Sequence, residues 1–349
     1  MEWEINDKST YILRYYLPLD PTYDETIFNK RGDELIQYCL NNHITAVMLY
    51  VDLNPNWYYS PDSLEHTRYY ATLLQPVIEK LRENAISYQL NYQNLVGAWD
   101  GGANLNDVNQ WENWVDQDGK ASSGCACCLG SRFRAVAGQK LKLWAATKPD
   151  VIWIDDDIRF HNHLTAIGDL WSGKSSSYRV DYGCFCDEHI KKFNETYHLS
   201  YSRAKIVEGI LSGGDGRKRW MNFSGSVADE FASWIEKTIH EISPNTRIAV
   251  MTSTVDSHSV EGRNWNSFLH SLSGEHKPLL RPTFGPYKEG DPRAFFISYL
   301  AVEQLKENIK SQYGRNVDFC PEIENGGVMD TFSDTLKPCI EQVNTCHIY

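Results

Sequence analysis

No stretch of the 349-residue chain approaches the ~20 consecutive apolar residues that a membrane-spanning helix requires, so no membrane span is expected. Basic charge is scarce beside acidic charge: 34 Lys and Arg against 46 Asp and Glu leave a formal net charge of −12. Such a surface repels phosphate backbones, which argues against a nucleic-acid partner. The first residues, Met1-Glu2-Trp3-Glu4-Ile5-Asn6, lack the basic start and apolar core of a secretory signal, so a cytoplasmic location is expected. Internal repeats, low-complexity tracts and a recognisable interdomain linker are also missing, and residues 1–349 are read as one domain. Self-association into a homo-oligomer is compatible with all of this.

What is present is rich in aromatics, with 11 Trp and 20 Tyr. Many of these belong in a core. Around a polar cleft, however, a ring offers a sugar an apolar face beside a hydrogen-bonding edge. The nine cysteines are odd in number, and three stand together as Cys125-Ala126-Cys127-Cys128. Without a secretory signal they are read as thiols and not as a disulfide framework.

Seven short runs combine apolar and β-branched residues, each followed by a helix-like segment: Tyr11–Tyr16, Ala46–Val51, Ile86–Tyr92, Val151–Asp156, Arg247–Thr252, Leu279–Phe284 and Val317–Glu322. Apolar residues at three- and four-residue steps predict helices over Asp33–Leu40, Leu74–Leu81, Phe133–Ala146, Val227–Ile242, Phe295–Ile309 and Thr335–Val343. This alternation indicates parallel β/α organisation. The Gly-rich stretch Ser212–Gly216 joins two helices and is read as a surface turn.

The connections are unequal. Helix-to-strand returns such as Asn42-His43 and Glu83-Asn84 are terse, whereas the strand-to-helix segments Asn94–Ser131 and Ile158–Cys184 are long. In a β/α barrel the loops that follow the strands build the functional face. No strand is followed by a Gly-rich phosphate loop, which disfavours an open nucleotide-binding sheet. The expected fold is therefore a (β/α)8 barrel. Its count stops at the seventh unit, so the sequence reads as a barrel lacking strand eight and its helix, a fragment of a longer polypeptide.

Two acidic clusters close predicted strands. Trp153-Ile154-Asp155-Asp156-Asp157-Ile158-Arg159 ends the fourth and Pro321-Glu322-Ile323-Glu324-Asn325 the seventh. Crowded carboxylates repel one another and raise at least one pKa, which yields a proton donor. Strand alternation puts Asp155 with Asp157, and Glu322 with Glu324, on shared faces. Glycosidases need a carboxylic acid for the leaving oxygen and a carboxylate opposite. Strands four and seven face each other across a barrel mouth. The competing structural account is an aspartate network paired with Arg159 and loop amides, plus a capping glutamate.

The fourth-strand region, with Asp155-Asp156-Asp157 followed by Tyr182-Gly183-Cys184-Phe185-Cys186-Asp187-Glu188-His189 and Phe193, resembles that of glycoside hydrolase family 42. Those β-galactosidases carry Asp-Asn-Glu on the strand and open the next helix with Cys-x-Cys-x-x-Cys. They belong to a clan of retaining barrel enzymes with an acid/base on strand four and a nucleophilic Glu on strand seven. The resemblance implies Asp157 as acid/base, Asp156 in the place of the family's Asn, and Glu322 or Glu324 as nucleophile. Asp replaces the family's Glu, and the cysteines lie further from the triad. The match covers about a tenth of the chain closely.

No cofactor is expected to be required. In the similar family the cysteines hold a structural zinc. That implies Cys184, Cys186 and His189 as three ligands here, with Cys127 or a neighbour as the fourth, a set suited to tetrahedral Zn²⁺. The alternative is small buried thiols under a loop. His161-Asn162-His163 raises an amidohydrolase-like metal-dependent hydrolase as a second reading, although strand one ends Arg14-Tyr15-Tyr16-Leu17-Pro18 without the histidines such enzymes use. A sugar-binding barrel without catalysis is the third. Candidate carbohydrate contacts are Arg14, Tyr16, Asn91, Gln93, Asn94, Asp155, Arg159, Arg281 and Tyr287, with Trp99 and Trp171 in the longest loops.

Overall fold

All seven predicted runs contribute strands to one parallel sheet. The computed structural model describes residues 12–18, 24–52, 62–96, 111–155, 158, 182–252, 261–282, 292–314 and 316–322. In chain order the elements are β1 (Ile12–Tyr15), α1 (Glu25–Asn41), β2 (Ala46–Val51), α2 (Leu64–Glu83), β3 (Ser87–Tyr92), β4 (Asn113–Val115), β5 (Ala121–Ala126), α3 (Ser131–Ala146), β6 (Val151–Ile154), α4 (Asp187–Tyr197), α5 (Arg203–Ser212), α6 (Gly214–His240), β7 (Arg247–Thr252), α7 (Trp265–Ser273), β8 (Leu279–Pro282), α8 (Pro292–Tyr313) and β9 (Asp318–Phe319). The sheet runs β1-β2-β3-β6-β7-β8-β9, and β4 and β5 form a separate antiparallel pair.

Alternation along each strand divides the interior in two. One face carries Val47, Leu49, Tyr88, Leu90, Ile152, Ile154, Ile248, Val250 and Leu280 into the large core beneath the helices. The other carries Met48, Val151, Trp153, Ala249, Met251 and Leu279 into a smaller second core, with Ile12 and Cys320 packed against it. Strands buried on both faces explain the nearly continuous apolar runs.

The sheet is curled. Seven flat strands at ~4.8 Å spacing would hold the outer two ~29 Å apart. Arg14 of β1 nevertheless makes an ion pair with Glu322, just beyond β9. The second core therefore fills the inside of a curled, barrel-like sheet. Among the described residues no strand pairs β1 with β9, so the count reaches seven and not eight. The predicted helix Thr335–Val343 lies outside them.

The helices are longer than their apolar stripes. Asp24 caps α1 by accepting from the Thr26 and Ile27 amides, and Ser63 caps α2 by accepting from the His66 amide. The β4–β5 hairpin and α7 were not expected, because polar and small residues in the first and brevity in the second hide their periodicity. The glycine stretch turns the chain at Gly213 and Gly214, with φ 78° and 61°, and α6 begins at Gly214. A Cβ on Gly216 would lie 2.5 Å from the Gly209 carbonyl oxygen. The stretch is thus an exposed turn between α5 and α6, as expected, and Gly216 in addition permits the close approach of α6 to α5 at Gly209.

Candidate active site

The inner face changes character along the strands. Its lower level is apolar, apart from Gln89, whose side chain accepts from the Trp153 indole at 2.7 Å. Above it, at the C-terminal ends of the strands, lies a charged layer. Arg14 rises from β1, Asn91 from β3, Asp155 follows β6, Arg281 stands on β8 and Glu322 follows β9.

These side chains form one network. Arg14 donates to Asp155 Oδ2 at 2.8 Å, to Asn91 Oδ1 at 2.9 Å and to Glu322 Oε1. Arg281 donates to Glu322 Oε2, and its other terminal nitrogen lies 3.6 Å from Asp155 Oδ1. The Asn91 amide donates to Asp155 Oδ2 at 3.0 Å and to Gln93 Oε1 at 3.1 Å. Two guanidiniums thus balance two carboxylates inside the curl. The Arg14 guanidinium also sits over the Tyr50 ring, 4.7 Å from its centroid. Asp155 and Glu322, far apart in sequence, share two arginines. Arginine only donates, so both Glu322 oxygens act as acceptors.

Other candidates fall elsewhere. Tyr16 is exposed just past β1. Asn94 is buried with φ 57°, and its amide donates to the Asp52 carbonyl at 3.5 Å. Asp156, Asp157, Arg159, Glu324 and Tyr287 lie outside the described residues, as do His161, His163, Trp99 and Trp171.

A second charge centre was missed from the sequence. Lys140 is fully buried on α3 and donates to Asp52 Oδ1 at 2.7 Å and to the Asp62 carbonyl, and Asp62 in turn pairs with His66. Burial pushes the Asp52 carboxyl up to about 6, against the pull of Lys140. The sequence signal was a lysine on the apolar stripe of Phe133, Ala137, Leu141 and Trp144. This group ties the segment after β2 to α3.

The cysteines converge as well. Cys127 follows β5, and Cys184, Cys186 and His189 open α4. Their ligand atoms all lie within 4.8 Å of one another. Cys127 Sγ is 3.4 Å from both Cys186 Sγ and His189 Nδ1, and Cys186 Sγ is 3.2 Å from His189 Nδ1. Zinc with Zn–S ~2.3 Å and Zn–N ~2.0–2.1 Å sets tetrahedral donors roughly 3.5–3.8 Å apart. Donor number, type and spacing therefore fit that ion. Hydrogen bonds from Cys127 and Cys184, with His189 adding to them, push the Cys186 thiol well down. Cys127 is raised by its bonds to Cys184 and Cys186, and Cys184 by burial.

No family model matches the chain, and no curated protein matches it in sequence. Solved structures do match in fold. The glycoside hydrolase domain of PgaB (BpsB) from Bordetella bronchiseptica aligns with TM-score 0.60 at 12% identity, over 97% of this chain and 91% of that one. A β-galactosidase from the haloarchaeon Halorubrum lacusprofundi aligns with TM-score 0.57 at 10% identity, over 96% and 51%. One from the psychrophile Marinomonas ef1 gives 0.56 at 10%, over 91% and 48%. The chain spans about half the length of these β-galactosidases. Its curled parallel sheet is similar in fold to these glycoside hydrolase barrels, and the likeness to family 42 in particular rests on the fourth-strand motif alone. No helix among the described residues is long and apolar enough to cross a membrane.

Proposed function

We propose that this chain is a glycoside hydrolase that cleaves an O-glycosidic bond at the mouth of the curled sheet. The observation that carries the reading is the meeting of Asp155 and Glu322 in one network through Arg14 and Arg281. Carboxylates from the fourth and last strands of the sheet are thereby brought to the same end of the same interior, as two-carboxylate hydrolysis requires.

The arginines divide the labour. Asp155 and Glu322 have their oxygens engaged as acceptors, which suits a negative partner and not a proton donor. Asp157 stands two residues beyond Asp155 in the sequence, the spacing that strand alternation would put on one side. In this reading Asp157 protonates the leaving oxygen, with Asp156 beside it. Glu322 or Glu324 attacks or stabilises the oxocarbenium-like centre. Asn91, Gln93, Arg14 and Arg281 supply hydrogen bonds to sugar hydroxyls from the floor. The substrate class is carbohydrate.

The cysteine centre has a separate role in this proposal. Cys127, Cys184, Cys186 and His189 hold a structural zinc that staples the β4–β5 hairpin to the start of α4. Bound there, the ion would supply a fixed crosslink and no chemistry at the mouth. The protein itself already joins the two segments, since the Phe185 amide donates to the Val115 carbonyl at 2.7 Å.

The test is turnover of a panel of 4-nitrophenyl glycosides by the purified chain and its Asp157→Asn, Glu322→Gln and Glu324→Gln variants. A positioned acid or base contributes ~10²–10⁴ in rate, so Asp157→Asn and one glutamate variant should lose that much. Full activity in all three removes the mechanism, and sugar binding without turnover in the unaltered chain favours a non-catalytic barrel.

A further inference from the structure

We infer that Arg263 is a positioning residue for the acidic end of β6. This rests on the reading of the Asp155–Asp157 segment as catalytic. Arg263 acts through the backbone that carries those carboxylates.

Three observations converge. Arg263 donates through Nη2 to the carbonyl of Ile158, the residue directly after the triad, at 2.9 Å. Ile158 is buried at φ 52°, a left-handed conformation that β-branched residues rarely adopt unless their surroundings enforce it. The guanidinium that enforces it is itself immobilised. Its side chain is 1% exposed, it pairs with the equally buried Glu261 at 2.8 Å, and it lies over the Phe268 and Trp265 rings.

The turn that presents Arg263 is seated on backbone. Gly262 has φ 67°, and a Cβ there would come 2.2 Å from the Met221 carbonyl oxygen of α6. From the other side, a Cβ on Gly225 would come 2.5 Å from the Gly262 carbonyl oxygen. The longest helix of the described residues therefore serves as the reference against which Arg263 holds the Ile158 peptide. A buried ion pair contributes little net stability compared with apolar packing. Its use here is orientation: the peptide plane that closes the triad is fixed from the segment following β7, independently of the charged layer fixed from β1 and β8.

Arg263→Lys retains the charge and a partner for Glu261 while losing the fork that reaches Ile158. With 4-nitrophenyl glycosides, kcat should fall on the order of 10–100-fold with KM little changed, as expected of a displaced reacting group. Guanidinium ion added to Arg263→Ala should restore part of the loss. Amide hydrogen exchange of the peptide spanning 151–160 should accelerate in Arg263→Lys at unchanged melting temperature. Unchanged exchange there overturns the placement, whatever the activity. Faster exchange with unchanged kcat, in a protein that Asp157→Asn inactivates, overturns the positioning role alone. Full turnover by Asp157→Asn overturns the reading of the triad instead, and the exchange result still decides whether Arg263 holds the segment.

Discussion

The two polar centres of this molecule are built on opposite plans. The charged layer stands on strands: Arg14 and Arg281 face Asp155 and Glu322, so each of these charges meets its opposite within the protein. The cysteine centre stands on a hairpin and a helix start, and its four donors, three thiols and one imidazole, crowd within 4.8 Å of one another. The difference shows how each is specified. Internally balanced charges need only a sheet curled to the right radius, whereas the convergent thiols and imidazole would be organised by the zinc proposed above.

Removing one member of the balanced set should have the largest effect. Arg14→Met removes the guanidinium that bridges Asp155 and Glu322. Breaking a buried pair costs about 3–5 kcal/mol, and the partial exposure of Arg14 places the expected loss near the lower end. Urea unfolding measures it, and adding Glu322→Gln to Arg14→Met should recover part of the loss. Additive losses would show that the layer is not a unit.

The cysteine centre should respond to a chelator, and the charged layer should not. One equivalent of zinc should co-purify with the chain and be lost from Cys186→Ala. At free zinc about 100 times Kd, the ion adds about 3 kcal/mol of stability by mass action, visible as a lower melting temperature after chelation. Absence of metal with an unaltered melting temperature would leave the cysteines as buried thiols.

The smallest effect belongs to the Asp52–Lys140 pair. Burial raises Asp52 from 3.8 to about 6, so the folded chain holds this proton more tightly than the unfolded one. Its contribution to stability is full below pH ~4 and is lost as pH rises through about 6, on the order of 1–3 kcal/mol. The Asp52→Asn/Lys140→Met double variant should flatten the stability profile between pH 4 and 7 relative to the unaltered chain.

The sheet was largely legible because its strands are buried on both faces: Ala46–Val51 and Arg247–Thr252 match their predicted runs end to end. Helix starts were less so, since Asp24 and Ser63 set them through polar first turns outside any apolar stripe. The hairpin that carries Cys127 gave almost no signal. Arg14, Asn91, Asp155, Arg281 and Glu322 can each be named from strand ends. Their union cannot, since Arg14 bonds partners 141 and 308 positions away, and only sheet curvature brings these together. Lys140 and Arg263 were passed over because a buried charge looks like a solvated one until its partner is known.

The central claim is that two carboxylates flank one bond at the mouth. A crystal structure with a bound sugar measures it directly, through the separation of the Asp157 carboxyl from the nearer of Glu322 and Glu324. The account predicts about 5–5.5 Å for a retaining enzyme or ~6.5–9.5 Å for an inverting one, with the sugar between the groups. A separation well beyond ~9.5 Å, or carboxyls opening onto different surfaces, would contradict it.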